Sequence, residues 1–236
     1  MRESRTAAIL LIGNELLSGR VEDRNLSFLA RSLWEQGIRV VRAEIVRDER
    51  AEIAPRVRDL CAGHAFVFTT GGIGPTHDDV TIAAVADAFS VPVIEEPELA
   101  RRIREHFQER TTSAHLRMAL VPQGATLVGG GLAWPTIRID NCFVLPGVPS
   151  ILERKFEDLR PLLGGAPFVR ASLALVVEEA DLAPTLDALA LSFPRLEIGS
   201  YPERRRVLVT IEGRDAVEVD EALARLASET AHLPRA

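Results

Sequence analysis

The sequence predicts an α/β fold, a mostly parallel sheet with helices on both faces, followed by a small α+β domain. Three observations carry this. Over the first 90 residues short apolar runs alternate with stretches of helical spacing, the order of strand–helix–strand units joined by right-handed crossovers. Glycine-rich turns follow those runs, at the strand ends where open parallel sheets bind ligands. A Leu163-Gly164-Gly165-Ala166-Pro167 break then precedes about 70 residues with a different order of elements.

Residues 7–12 form an apolar run ending at Gly13 and read as a buried strand. Asp23 caps a helix in which Leu26, Leu29, Ala30, Leu33 and Trp34 recur at helical spacing until Gly37. Residues 38–46 are the next strand, 49–61 a helix and 65–70 a third strand. A helix from near Asp79 to about Phe89 follows, then helical stretches over 97–110 and 113–118. Residues 136–139 and 142–145 alternate about Asp140-Asn141, predicting a hairpin whose second strand joins the main sheet. Residues 150–163 are a helix. Beyond the break come strand 168–177, helix 180–192, strands 195–200 and 206–212, and helix 216–231. The expected domains are therefore 1–165 and 166–236.

Composition narrows the function. There are 28 basic and 34 acidic residues, a net charge of −6, shared as −2 in the first part and −4 in the second. No basic face for nucleic acid is expected. Lys155 is the only lysine and lies in no glycine-rich loop. That excludes a Walker-type phosphate loop, a conventional Schiff-base enzyme and a polybasic membrane anchor. On its predicted helix Lys155 is expected to be solvated, so a phosphate site would rely on backbone amides, a metal and an arginine. Cys61 and Cys142 sit in apolar stretches without a CxxC partner and read as buried reduced thiols of a cytoplasmic protein. No segment reaches the roughly 20 apolar residues a membrane span needs.

The segment Thr69-Thr70-Gly71-Gly72-Ile73-Gly74-Pro75-Thr76-His77-Asp78-Asp79-Val80-Thr81 lies between the third strand and its helix. Its glycines let a ligand approach the backbone, and amides at the turn and helix start suit an anion. Asp78 and Asp79 beside such a cradle call for a neutralising cation, and a divalent metal held between carboxylates and phosphates fits. The same residues also fit a plain glycine turn with Asp78 or Asp79 as helix cap. Gly13-Asn14-Glu15 and the turn Pro146-Gly147-Val148-Pro149 follow other strands and converge on the same edge. His77 suits phosphate donation or general acid work, or simply faces solvent. His64, His106, His115 and His232 lack partners at metal spacing and read as surface residues.

The strings at 13–19 (Gly-Asn-Glu-Leu-Leu-Ser-Gly), 70–81, 119–125 (Ala-Leu-Val-Pro-Gln-Gly-Ala) and 145–150 (Leu-Pro-Gly-Val-Pro-Ser) resemble the molybdopterin-binding (MoaB/Mog-like) fold family. Within it the chain is most similar to the amino-terminal domain of CinA and the matching domain of FAD synthase. The tail, with Ile198-Gly199-Ser200-Tyr201-Pro202, resembles the small domain that follows in those proteins.

The resemblance implies a three-layer sandwich, a pocket for a phosphorylated nucleotide or pterin, and a homo-oligomer, dimer or trimer. For the CinA and FAD synthase branch it implies metal-dependent cleavage of a pyrophosphate such as ADP-ribose or FAD, with Mg, Mn, Co or Ni as the metal. For the molybdenum-cofactor branch it implies pterin adenylation or metal insertion. It makes Asp79 catalytic, helped by Asp78, and adds Asp48 as a further catalytic acid, which alone is just an exposed acid before a helix. The ligand-binding residues it suggests are Gly13, Asn14, Glu15, Thr70, Gly71, Gly72, Gly74, Pro75, Thr76, His77, Thr81, Pro146, Gly147 and Pro149, with Asp78 and Asp79 on the metal. Three departures stand out. Val128-Gly129-Gly130-Gly131-Leu132-Ala133-Trp134-Pro135 replaces the family's Asn-Pro-x-Gly-Thr-Ala-Pro-Gly, and Met118 replaces a glutamine. No segment resembles the amidohydrolase domain of CinA or the adenylyltransferase domain of FAD synthase, so neither activity is expected. A nucleotide sensor without turnover is the third reading, suggested by the stripped segment.

Overall fold

A computed structural model describes residues 5–129, 134–204 and 206–235. The chain divides into two compact units, Met1–Gly165 and Ala166–Ala236.

The first unit is built on a six-stranded sheet in the order β2-β1-β3-β8-β7-β6. β1 (Thr6–Ile12), β2 (Arg39–Val46), β3 (Phe66–Thr70) and β8 (Cys142–Leu145) run parallel. β7 (Thr136–Ile139) returns antiparallel beside β8, as the hairpin pattern predicts, and β6 (Thr126–Val128) extends the sheet beyond it. β1 shows why the sheet is the middle of three layers. Ala8, Leu10 and Ile12 join one buried cluster with Ile53, Val57 and Leu60 of α3 (Arg50–Gly63) and Ala84 and Val85 of α4 (Thr81–Ala88). Ala7, Ile9 and Leu11 join another with Leu29 and Leu33 of α2 (Asn25–Glu35) and Phe156 and Leu159 of α7 (Pro149–Leu163). Successive side chains of a strand point to opposite faces, so a strand covered on both must be apolar throughout.

Four short elements depart from expectation. Residues 14–17 form a one-turn helix α1 where a plain turn is predicted. β4 (Val93–Glu95) and β5 (Leu120–Pro122) make a separate two-stranded ladder, and β6 is a further short strand. Three residues are too few to show an alternating pattern. Between β4 and β5 lie α5 (Pro97–Phe107), a single 3₁₀ turn and α6 (Ser113–Arg117).

The second unit runs β9 (Val169–Leu175), α8 (Glu179–Ser192), β10 (Glu197–Glu203), β11 (Arg206–Gly213), α9 (Ala216–Glu229). Its sheet is antiparallel, in the order β10-β11-β9. Leu182 and Leu189 of α8 and Val219, Ala222 and Leu226 of α9 pack on Val207, Val209 and Ile211 of β11. β10 reaches Glu203, beyond the expected end at Ser200, because as an edge strand it tolerates Pro202 without an amide donor.

Candidate functional site

The turn after β3 is shaped by what leaves no room for side chains. Gly71 has φ +105°, and a Cβ there would lie 2.1 Å from the Ile12 carbonyl oxygen. Gly72 has φ +64°, and its Cβ would meet Thr81 Oγ1 at 2.4 Å. Both positions require glycine. A Cβ on Gly147 would lie 3.3 Å from Gly71 Cα, so the turns after β3 and β8 pack backbone against backbone.

Two expected ligand contacts are corrected. Thr81 and Thr70 are buried and support the turn from behind. Thr81 Oγ1 donates to the Gly71 carbonyl at 2.9 Å, and its amide donates to the Gly72 carbonyl at 3.0 Å. Thr70 Oγ1 donates to the Pro146 carbonyl at 3.2 Å and accepts from Asn25 Nδ2 at 2.8 Å. The same Nδ2 donates to the Gly147 carbonyl at 2.8 Å. Asn25, which sequence reasoning missed, thus ties the two turns together from the start of α2.

The paired acids differ in what holds them. Asp79 Oδ1 accepts the Gly74 amide at 2.7 Å, and Oδ2 accepts the Thr76 amide at 2.7 Å and the Thr76 hydroxyl. Asp78 is open to solvent, its side chain 64% exposed and 3.9 Å from the still more open His77, which is 95% exposed. The Thr76 hydroxyl, its own amide and the nearby imidazole hold the Asp78 carboxyl below the usual range. Both Asp79 oxygens are thus engaged by donors of the loop, whereas Asp78 leaves most of its carboxylate to solvent. Asp48 is also brought in: its Oδ2 accepts the Asn14 amide at 2.7 Å, while Oδ1 lies 3.6 Å from where a Gly72 Cβ would sit. Glu15 folds over Gly13, with Oε1 2.5 Å from where a Cβ on Gly13 would be.

Of the cradle amides, Gly71 donates to the Leu145 carbonyl at 3.2 Å and Gly74 to Asp79. They are spent inside the protein, which corrects the expectation that all three glycine amides face a ligand. Among the described residues the amides of Gly72 and Gly147 donate to no protein acceptor.

A cleft of about 820 Å³ opens over this turn, within the first unit. Glu15, Gly71, Gly72, Gly74, Thr76, Asp79, Pro146, Gly147 and Pro149 line its polar end. Gly13, Asn14, Asp48, Pro75 and His77 stand around that end without lining it. Arg117 of α6 also lines the cleft and reaches the Pro75 carbonyl at 3.4 Å. The far wall is apolar and aromatic: Phe107, Met118, Leu120, Trp134, Ile137 and Ile151. His106 is exposed but lines the cleft, edge-on to Trp134 at 5.9 Å, and His115 stacks on Phe107 at 3.9 Å. They are more than the surface residues expected. Of the altered segment 129–135, positions 130–133 lie outside the described residues.

Lys155 is a further correction. It is 7% exposed and lines the cleft, and Nζ donates to the carbonyls of Trp134 (2.6 Å) and Pro135 (2.8 Å). Burial pushes its ammonium down to about 8, opposed by the charge of Asp158. The signal was present in the sequence: Leu152, Lys155, Phe156 and Leu159 fall on one helical face.

Among the described residues no helix is long and apolar enough to cross a membrane, and no three His, Cys, Asp or Glu side chains cluster to hold a metal unaided. A nucleotide-associated ion needs only one or two carboxylates besides phosphate and water.

Residues 8–165 match the family described as "Probable molybdopterin binding domain", and residues 167–233 match "FAD synthase, middle domain". The chain is 29% identical to a "Probable FAD synthase" of Caenorhabditis elegans over 96% of its own length and 50% of the relative's. It is 32% identical to a "CinA-like protein" of Syntrophus aciditrophicus, covering 91% of this chain and 56% of that one. It spans about half the length of these two relatives. It is 33% identical to "Protein TK1472" of Thermococcus kodakarensis over 98% of this chain and 99% of that one. The solved structure of CinA from Thermoplasma acidophilum, described as of unknown function, superposes with a TM-score of 0.63 at 25% identity, covering 68% of this chain and 99% of that one. With the matched region spanning the whole three-layer unit and its glycine cradle, the chain belongs to the molybdopterin-binding-domain family.

Proposed function

We propose that the cleft binds a phosphorylated, ring-bearing ligand and that the chain is a divalent-metal-dependent pyrophosphohydrolase acting on a dinucleotide-like substrate of the ADP-ribose or FAD type. The observation that carries this reading is the meeting of two unspent amides, Gly72 and Gly147, with the carboxylates of Asp48, Glu15 and Asp79 at one end of the cleft. Amides of that kind suit phosphate oxygens, and the acids then require a cation.

The residues present fit such an ion. Asp48 keeps Oδ1 beside Gly72, where the missing side chain leaves space, and Glu15 lines the same end. These two, with Asp79 behind them, would hold Mg²⁺, Mn²⁺, Co²⁺ or Ni²⁺. When bound, a divalent ion neutralises phosphate oxygens and makes water a better nucleophile. The chain's own residues orient the phosphates through Gly72 and Gly147, keep the loop in shape through Asp79, and bring positive charge through Arg117. The apolar wall excludes water from the ring end of the ligand.

The test is product analysis after incubation with ADP-ribose or FAD and each metal. Release of AMP that needs the metal and drops in Asp79→Asn is expected; an unchanged rate in that variant would sink the assignment. A second reading, molybdopterin binding with adenylation or metal insertion, is favoured by the family match over 8–165, and pterin substrates in the same screen distinguish it. Tight nucleotide binding with no product under any metal would instead favour a sensor.

A further inference from the structure

The protein's single lysine is buried in the wall of the cleft, and neither the phosphate cradle nor the loop chemistry uses it. Lys155 lies six residues into α7, about 9 Å along the helix axis from the phosphate turn at 1.5 Å per residue. An ammonium has three donors; two are taken by the carbonyls of Trp134 and Pro135 at 2.6 and 2.8 Å. Among the described residues Lys155 forms no ion pair with a carboxylate, and its side chain borders the open cleft. Beyond those two carbonyls, Trp134, Ile137 and Ile151 line the same cleft, and Asp158 on the same helix adds negative charge.

This geometry selects a particular kind of partner. A second phosphate would sit against apolar walls with one donor available and two carbonyl oxygens close by, which repel a dianion. A single neutral acceptor on a flat ring satisfies the third N–H while the ring packs on Trp134. We propose that Lys155 and Trp134 form a ring subsite that selects heterocycles bearing a carbonyl oxygen over those bearing an amino group at that edge. An ammonium only donates, so an amino edge would set donor against donor. Lysine reads guanine's oxygen edge in DNA for the same reason, and one hydrogen bond from a charged donor discriminates by roughly tenfold or more.

The inference rests on the reading that the cleft takes a phosphorylated, ring-bearing ligand. Within that reading it favours the FAD type, whose flavin bears carbonyl oxygens, over ADP-ribose, whose only base is adenine; its test needs no turnover. With one lysine in the chain, lysine labelled with ¹³C at Cε gives one side-chain signal in the whole protein. Inosine 5′-monophosphate, FMN and AMP, none of which has a pyrophosphate bond to cleave, are titrated in the presence of Mg²⁺, by NMR and by calorimetry. Inosine monophosphate differs from AMP in carrying a carbonyl oxygen at C6, with a proton on the neighbouring N1, in place of the amino group. The expected result is that inosine monophosphate and FMN shift the lysine signal and bind roughly tenfold more tightly than AMP, and that Lys155→Met reduces their affinity to the level of AMP. Binding of all three with an unmoved lysine signal, equal affinities for the two purine nucleotides, or no binding of any of them would overturn it. The NMR arm uses the wild-type chain, so a poorly folding Lys155→Met variant leaves the test intact. Hydrolysis without a lysine response removes the subsite and keeps the reaction; a lysine response without hydrolysis does the reverse.

Discussion

The carboxylate of Asp79 reaches back five residues to Gly74 and accepts its amide at 2.7 Å, so that the acid at the head of α4 fixes the loop that precedes it. A Cβ on Gly74 would stand 2.7 Å from that same carboxylate. An asparagine at 79 keeps one acceptor oxygen but turns an NH₂ toward a backbone donor. Asp79→Asn should therefore cost stability, about 1–3 kcal/mol, besides reducing turnover. Urea denaturation of the two proteins checks the first effect separately from the second.

Asp48 and Asp78 should behave oppositely. Asp48 ties the Asn14 amide and borders Gly72, whereas Asp78 projects into solvent beside His77. Under the proposed reaction, Asp78→Asn should leave the metal-dependent rate within about twofold, and Asp48→Asn should lower it by at least about tenfold, as loss of a group in contact with a reacting phosphate or its ion does. Initial rates at saturating metal decide between them; the reverse ranking would mean that the loop's exposed face is the reacting one.

Positive φ and close approach can be told apart by two glycines. At Gly71 a Cβ collides with the Ile12 carbonyl at 2.1 Å, while at Gly19, φ +69°, nothing lies within 4 Å. Gly19→Ala should cost only the backbone strain, about 1–2 kcal/mol. Gly71→Ala should cost more, about 3 kcal/mol or above, because β1 and β3 must part. Chemical denaturation midpoints for the two variants measure the difference.

Lys155 also predicts a pH dependence. Its folded-state pKa, about 8, is below the ordinary lysine value of 10.5 because burial disfavours the charge. Between those values the unfolded chain binds more protons, so this group's contribution to stability increases as pH rises from 8 to 10.5 and is lost as pH falls through 8. The full span is on the order of a few kcal/mol. Melting curves of wild type minus Lys155→Met across pH 7 to 10.5 isolate it; a flat difference would mean that the ammonium is solvated.

Much of the framework was legible from residue order. The apolar runs of β1 and β3, the hairpin about Asp140-Asn141 and the glycine string at 71–74 all carry local signals that read the same in isolation as in the fold. Met118 and Trp134, noted as departures from the family pattern, do line the cleft. Strands β4, β5 and β6 were missed because three residues acquire strand geometry only from a partner across the ladder.

What the sequence by itself determined is the layering and the place of the cleft: strand-long runs must be covered on both faces, and glycines at strand ends must turn where side chains cannot follow. What only the tertiary structure decided is which groups face a ligand. Asp78 and Asp79 are adjacent in the chain but differ in role, because the amides of Gly74 and Thr76 bind the Asp79 carboxylate while Asp78 stays largely exposed. Asp48, Asn25 and Lys155 are distant from the glycine string and meet it or its cleft through parallel strands that end at one edge. Hydrogen bonds to backbone carbonyls and amides set these choices, and which amides remain unspent is a property of packing that no run of residues encodes locally.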